Sequence, residues 1–392
     1  MDKRIYLDHN ATAPVCPEAM EAMLPYYNGE FGNASSLHSF GTKAREAVEN
    51  AREKVAALIG PCESADIVFT SGGTESDNFA IKGSAWALKN KGRHIITSRI
   101  EHKAVLNPCE FLEKNGYEVS YISVDEYGVV NTDELRKAIK DGTILISIMF
   151  ANNEAGTIQP IEKIAAIARE KGILFHTDAV QAAGKIPVDV EKMGIGLLSM
   201  SAHKLYGPKG IGALYINKKA KITPLIHGGH HEGKRRAGTE NVPGIVGFGK
   251  ACELAVKNQE KENKRLTVLR DRLWSGINRE INDVKLNGHP VSRLPNTLNV
   301  SFEFVEGESV LLNLDLKGIA ASSGSACTSG SLEPSHVLKA MSVKPVIAQG
   351  AVRFSLGLIN TQAEIDRVIK ALPPIIKKLR GISPLYDAKK DT

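Results

Sequence analysis

Between residues 65 and 216 the chain repeats one pattern: a short, nearly unbroken apolar run, then a stretch with helical spacing. "IVFTS" (67–71) precedes "TESDNFAIKGSAWAL", "HIITS" (94–98) precedes "EHKAVLNPCEFLEK", and "EVSYISV" (118–124) precedes "TDELRKAIK". "TILISIMF" leads to "IEKIAAIAREKG", "ILFHTD" follows, and "LLSMS" and "IGALYI" complete the series. A strand that is apolar along its whole length must be covered on both faces. Strands alternating with helices meet that demand in a mostly parallel sheet. The expectation is an α/β protein with about seven strands in its main sheet.

From Val242 the pattern becomes one long helix, with Leu266, Leu269, Leu273 and Ile277 at helical spacing. Then come "NTLNVSFEF", a helix near 307–317, "GIAASS", "GAVRFSL" and a last helix over about 361–380. This mixture suits a small α+β domain. The expected division is a large domain over 16–255 and a small one over 256–392, with residues 1–15 returning to pack on the latter. Hydrophobic residues make up 42% and charged residues 24%, which fits a folded soluble protein rather than a disordered one.

The net charge of +6 is spread through mixed-sign helix faces such as "EKENKR". No basic block with interleaved aromatics appears, so nucleic acid is not an expected ligand. The opening "MDKRIYLDHN" is charged and reads directly into a strand, and "TILISIMFA" is too short to span a bilayer. The five cysteines, Cys16, Cys62, Cys109, Cys252 and Cys327, are odd in number and scattered. They suggest neither a disulfide framework nor a structural zinc, and a reducing compartment. The expectation is a cytoplasmic protein without membrane contact.

In an open α/β sheet, ligands bind beyond the carboxyl ends of the strands. After "IVFTS" comes "GGTES", which reads either as a phosphate cradle at a helix start or as an ordinary turn with Thr74 as N-cap. After "ILFHT" comes Asp178, a carboxylate that is costly there unless paired. It could cap the next helix or meet a cationic ring nitrogen. After "LLSMS" comes Lys204, flanked by Ser201 and His203. It is either a loop lysine or a nucleophilic amine of depressed basicity. Together the three suit pyridoxal phosphate, which needs a phosphate cradle, an acid for its ring nitrogen and a lysine for its aldehyde. His102 could stack on such a ring and move protons, and Asn153 and Gln181 sit at further strand ends.

"SSGSACTSG" (322–330) sets Cys327 among serines, glycines and a threonine, where little could pack around it. Taken alone, it is either a spare thiol or a reactive one.

The motifs "YLDHNATAP", "FGNASSLHSFG", "FTSGGTESDN", "EHKAV", "ANNEAGT", "FHTDAVQAAGK", "SAHKLYGPKGIGALY", "RRAGTENV" and "SSGSACTSGSLEPSHVLKAM" resemble the cysteine desulfurases, and the Cys-loop wording is most similar to the NifS/IscS branch. The resemblance covers nearly the whole chain. It implies a fold-type I pyridoxal phosphate enzyme, a homodimer with active sites at the subunit interface. The implied reaction releases sulfur from L-cysteine, leaving L-alanine and a persulfide that passes to an iron–sulfur scaffold protein (IscU/NifU-like).

By the same resemblance Lys204 holds the cofactor, Asp178 pairs with its ring nitrogen, His102 stacks on the ring, and Asn153 and Gln181 bond its oxygens. Gly73, Thr74, Ser201 and His203 hold the phosphate, and Thr239 reaches the phosphate of the neighbouring subunit's site. Arg353, with Asn153, binds the substrate carboxylate, a bidentate task suited to guanidinium. Cys327 accepts the sulfur on an arm over about 322–334, with Pro334 starting the helix that ends it. No intrinsic metal is implied, though Cys327 could transiently share a scaffold's cluster. A selenocysteine lyase, an aminotransferase and a non-catalytic assembly platform are the alternatives, and the cysteine in a polar arm favours desulfuration.

The chain departs from the family pattern at Ala34, where proline is usual, at Leu358, where arginine is common, and at His231, where glutamine is usual. "HGGHHEGKRR" gathers His227, His230, His231 and Glu232, but adjacent histidines without fixed geometry seldom make a metal site.

Overall fold

The structure is a computed structural model that describes residues 4–323, 334–384 and 386. The seven expected strands form one sheet: β2 (Ile67–Thr70), β3 (His94–Ser98), β4 (Glu118–Ile122), β5 (Thr143–Ser147), β6 (Leu174–Asp178), β7 (Leu197–Ser201) and β8 (Gly212–Ile216). Their order across the sheet is β2-β8-β7-β6-β5-β3-β4. β8 runs antiparallel to both neighbours and every other pairing is parallel. β3, β5, β7 and β8 are buried at every residue, as strands covered on both faces must be, whereas β4 at the edge is only half-buried. Because β8 reverses twice over, β2 points the same way as β7. The carboxyl ends of β2, β3, β5, β6 and β7 therefore open on one edge of the sheet.

The long helix is Val242–Glu280. Its first part packs on the helix Ser39–Leu58 so closely that a Cβ at Gly249 would lie 2.7 Å from the Ala51 Cα. Its second part buries Leu266, Leu269, Leu273 and Ile277 in a separate core with Val300, Phe354, Val368 and Leu372. The expected domain boundary at 255 falls inside this helix. The second core also covers an antiparallel sheet of order β12-β10-β9, made of β9 (Val284–Asn287), β10 (Thr297–Phe302) and β12 (Ala351–Ser355). The N-terminal segment joins it: β1 (Ile5–Tyr6) pairs in parallel with β11 (Ile319–Ala320), and Leu7 is fully buried in that core. A bridge from Asp8 to Ser355 then steers the following residues toward the open edge of the large sheet.

Two local expectations change. Thr74 is not an N-cap, because the helix Gly73–Asn78 starts one residue earlier with Gly72 as its cap. Pro334 does not start a helix either; the helix is His336–Ala340, capped by the Ser335 hydroxyl, which accepts from the Val337 and Leu338 N–H groups. A hydroxyl there satisfies N–H groups that proline could not reach.

Candidate active site

One cavity of about 250 Å³ opens at the carboxyl edge of the large sheet. It is lined by Gly73 and Thr74 after β2, His102 after β3, Asn153 after β5, Asp178 at the end of β6 and Gln181 beyond it, and Ser201 at the end of β7 with His203 and Lys204 beyond it. Arg353, from β12 of the second sheet, closes it from the other side. Ten of the residues expected from the sequence thus converge on one space. Thr239 does not: it is exposed and lines a separate depression beside Glu232 and Arg236. Cys327 lies outside the described residues. The segments flanking it do reach the cavity, since the Ser322 N–H donates to the Arg353 carbonyl at 3.1 Å and His336 lines the wall.

The geometry sets several protonation states. His102 caps the helix Lys103–Glu113, its Nδ1 accepting from the Ala104 N–H at 3.1 Å. Nδ1 must therefore be bare, so the neutral ring carries its proton on Nε2. Burial holds this imidazole below its ordinary value, with Asp178 opposing. His203 falls to about 4, chiefly by burial and then by the Lys204 charge.

Behind the cavity, beside the expected Asp178, lie two buried acids that sequence reasoning missed, Asp77 and Glu101. Burial pushes Asp178 up, against the attraction of His102, and pushes Asp77 well up with help from the Asp178 charge. Glu101 rises to about 8 for the same reason, although the Ser98 hydroxyl and the Met149 N–H donate to it. Asp178 accepts the Val180 N–H at 2.9 Å, and among the described residues no lysine or arginine forms an ion pair with it. Asp77 Oδ1 is buried without a hydrogen-bond partner among the described residues. His176 stands 3.7 Å from it, but both ring nitrogens already engage the Ser147 and Ser199 hydroxyls. These positions read as plain strand and helix residues, so only the fold exposes them.

Asn10 and Asp8, in "YLDHN", were also missed. Lys204 Nζ donates to the carbonyls of Asn10 and Ala11 at 2.7 and 2.6 Å. The Asn10 side chain donates to Thr297 Oγ1 and the Asn153 carbonyl, tying the N-terminal segment to both sheets. Arg353 binds Asp8 at 2.7 Å through Nη2 and the Asn153 carbonyl at 3.0 Å through Nη1, while its Nε has no hydrogen-bond partner among the described residues. Two polar residues directly after a predicted strand were the available signal.

The histidine-rich motif is taken up in packing. Glu232 is buried against Arg52 and the Phe69 N–H, and His231 Nδ1 accepts from Gly238 N–H. Among the described residues, no group of three His, Cys, Asp or Glu is arranged to hold a metal, and no helix is long and apolar enough to cross a membrane.

Against known proteins, the Aminotransferase class-V pattern matches residues 5–368. A cysteine desulfurase IscS of Dictyoglomus turgidum is 57% identical over 384 residues, 98% of this chain and 97% of that protein. The chain belongs to the cysteine desulfurase family. Among solved structures, a NifS-like protein superposes with a TM-score of 0.90 at 42% identity, over 96% of this chain and all of that one. SspA, solved in complex with cysteine, gives 0.79 at 39% identity, over 90% and 98%.

The desulfurase is therefore a pyridoxal phosphate enzyme, and its cavity fits that group on its own evidence. Asp178 is a buried acid with no lysine or arginine ion pair among the described residues, a partner that a protonated ring nitrogen would supply. A Cβ at Gly73 would lie 2.8 Å from Val180 Cγ2, so the approach between the cradle and the β6 end needs glycine. The hydroxyls of Thr74 and Ser201 and the start of a helical run that continues to Leu88 lie at the same end, suited to an anion.

Proposed function

We propose that the residues of this cavity perform L-cysteine desulfuration in a division of labour, with Cys327 as the sulfur acceptor. When bound, pyridoxal phosphate supplies the electron sink that lets the carbon–sulfur bond of cysteine break. Gly73, Thr74, Ser201 and His203 hold its phosphate, Asp178 its ring nitrogen, and Asn153 and Gln181 its oxygens. Lys204 binds its aldehyde carbon and afterwards carries a proton at Nζ. His102 covers the ring and, with its proton on Nε2, donates from that atom and takes a proton back there. Arg353 receives the substrate carboxylate. Its bare Nε–H is a donor awaiting an acceptor, and Asp8 is the anion the carboxylate competes with.

Cys327 closes the reaction. Its sulfur bonds to the substrate sulfur, the carbon–sulfur bond breaks, and the carbon takes a proton. The products are alanine and a persulfide. The observation that carries this reading is that Lys204, Asp178, His102 and Arg353 share one cavity, to which both flanks of Cys327 return. The test is brief incubation of the holoprotein with L-cysteine, followed by peptide mass and an alanine assay. The Cys327 peptide gains one thiol-labile sulfur as alanine appears, and Cys327→Ser forms no persulfide while keeping the cofactor spectrum. Sustained alanine formation by Cys327→Ser would refute the assignment.

The working form is a homodimer. Leu24, Tyr27, Phe31, Leu37 and Phe40 are exposed within one short stretch, Leu37 at 92%, and such apolar surface is usually covered by a partner. Thr239, exposed and away from its own cavity, then serves the phosphate of the second copy. Thr239→Val and Lys204→Ala are each poor enzymes, but mixed dimers regain activity, because one of their two sites then holds both native groups. No recovery on mixing would exclude a shared site. The persulfide passes to an iron–sulfur scaffold of the IscU/NifU kind in the cytoplasm, a reading supported by the named relatives' family.

A further inference from the structure

Lys185 stands just behind the cavity wall and has no part in the chemistry above. Its Nζ donates to Gln181 Oε1 at 2.7 Å and to Asn10 Oδ1 at 3.2 Å. Both partners are buried, Gln181 at 6% and Asn10 at 2% exposure. The acceptor count matters. An ammonium brings three N–H groups, whereas a neutral amine brings two, and two acceptors meet it among the described residues. The charged groups facing it are the Lys204 ammonium and the Arg353 guanidinium, which is already paired with Asp8; His9, nearby, is held neutral by burial at about 4. No carboxylate forms an ion pair with Lys185 among the described residues. A buried ammonium without an anion gives up its proton.

The contact also fixes an amide. Because Gln181 Oε1 accepts from Lys185, Nε2 must face the other way, where it donates to the Asn10 carbonyl at 3.0 Å. That carbonyl is one of the two that receive Lys204 Nζ. A flipped Gln181 would turn Oε1 against the Asn10 carbonyl, acceptor against acceptor. The Asn10 side chain is held likewise, its Oδ1 accepting from Lys185 and from Asn296 Nδ2 at 3.0 Å.

We infer that Lys185 works as an uncharged hydrogen-bond donor, a positioning residue that orients Gln181 and Asn10 for the cofactor and Lys204. This rests on the roles proposed above for Gln181 and Lys204. Lys185 is half-buried as a whole, but its amine lies between two buried side chains, and burial with the Lys204 and Arg353 charges brings it down to about 7.

The test compares wild type with Lys185→Met, which keeps volume without donors, and Lys185→Arg, which keeps donors but stays charged. In the apoprotein, the folded state holds no proton on Lys185 above pH about 7, whereas the unfolded chain keeps one until its ordinary value of 10.5. The unfolded state thus binds more protons in that window, and stability rises with pH there. Relative to Lys185→Met, the wild-type unfolding constant falls by up to about tenfold per pH unit between 7 and 10. A flat difference over that range would mean a charged lysine and overturn the inference.

In the holoprotein, Lys185→Met and Lys185→Arg both bind pyridoxal phosphate at least about tenfold more weakly, the loss expected for one hydrogen bond of about 1.4 kcal/mol. Wild-type affinity in both would equally overturn it. Borohydride reduction and peptide mapping separate the two levels. A cofactor fixed on Lys204 with unchanged affinity in the variants rejects the Lys185 role alone, while a cofactor fixed elsewhere in wild type rejects the site assignment beneath it.

Discussion

Lys204→Ala yields a folded protein that no longer forms alanine from L-cysteine, with the rate reduced by about 10³-fold or more. On the assignment proposed above, two functions leave with the one side chain: the attachment point for the cofactor and the amine that carries a proton at Nζ. The fold survives because Lys204 belongs to neither of the two large hydrophobic cores. Lys204 is half-buried and its amine serves the carbonyls of Asn10 and Ala11. The Asn10 carbonyl keeps the Gln181 amide as a donor after the change. The cost in stability is therefore about 1–2 kcal/mol, small enough to leave circular dichroism and oligomer size unchanged. The measurement is alanine release beside borohydride reduction with tritium, which labels the Lys204 peptide in wild type and no lysine in the variant. Retained label on another lysine would show that Lys204 is not the attachment point.

That prediction could be framed because the chemistry sits at strand ends, which a sequence displays openly. Most strands of the large sheet are largely apolar runs, so a charged residue at or beyond the carboxyl end stands out, as Asp178 does at the end of β6 and Lys204 beyond β7. The parallel topology then brings those ends to one edge. What stayed hidden acts across long separations or through another residue. Asn10 meets Asn153, Gln181, Asn296 and Thr297, and nothing in "YLDHN" signals such partners. Lys185 follows Gln181 by four residues in the turns after β6 and reads as a surface lysine until its amine is seen facing inward. Asp77 falls in the helix after the cradle, where an acid reads as a solvated position, yet it is fully buried behind Asp178. The antiparallel course of β8 was equally silent, since a fully buried strand looks the same in either direction.

Glu232→Ala lowers stability by about 3–5 kcal/mol, the cost of leaving a buried charge without its partner. The carboxylate binds Arg52 through two contacts of 2.6 and 2.9 Å, and its Oε2 also accepts the Phe69 N–H at 2.8 Å. Arg52 is buried too, reaches the Ile67 carbonyl at 3.0 Å and lies over the Phe69 ring. With Glu232 gone, the one anion that the described residues leave beside the desolvated guanidinium is Glu49 at the surface, and the Phe69 N–H of β2 loses its acceptor. The backbone argues the same way. Glu232, Gly233 and Lys234 have φ of 48°, 61° and 67°, a left-handed run that non-glycine residues enter at a cost of about 1–3 kcal/mol each. Glycine at 232 would relieve that strain, so the presence of glutamate there is explained by the pair it completes. A metal role for "HGGHHEGKRR" predicts the opposite pattern: a wild-type melting temperature that rises with Zn²⁺, and a Glu232→Ala variant that loses that rise but little else. Thermal unfolding of both proteins with and without Zn²⁺ decides between them. The ion pair requires a large fall in melting temperature that the metal neither causes nor repairs, because Glu232 is already spent on holding Arg52 beneath the sheet edge.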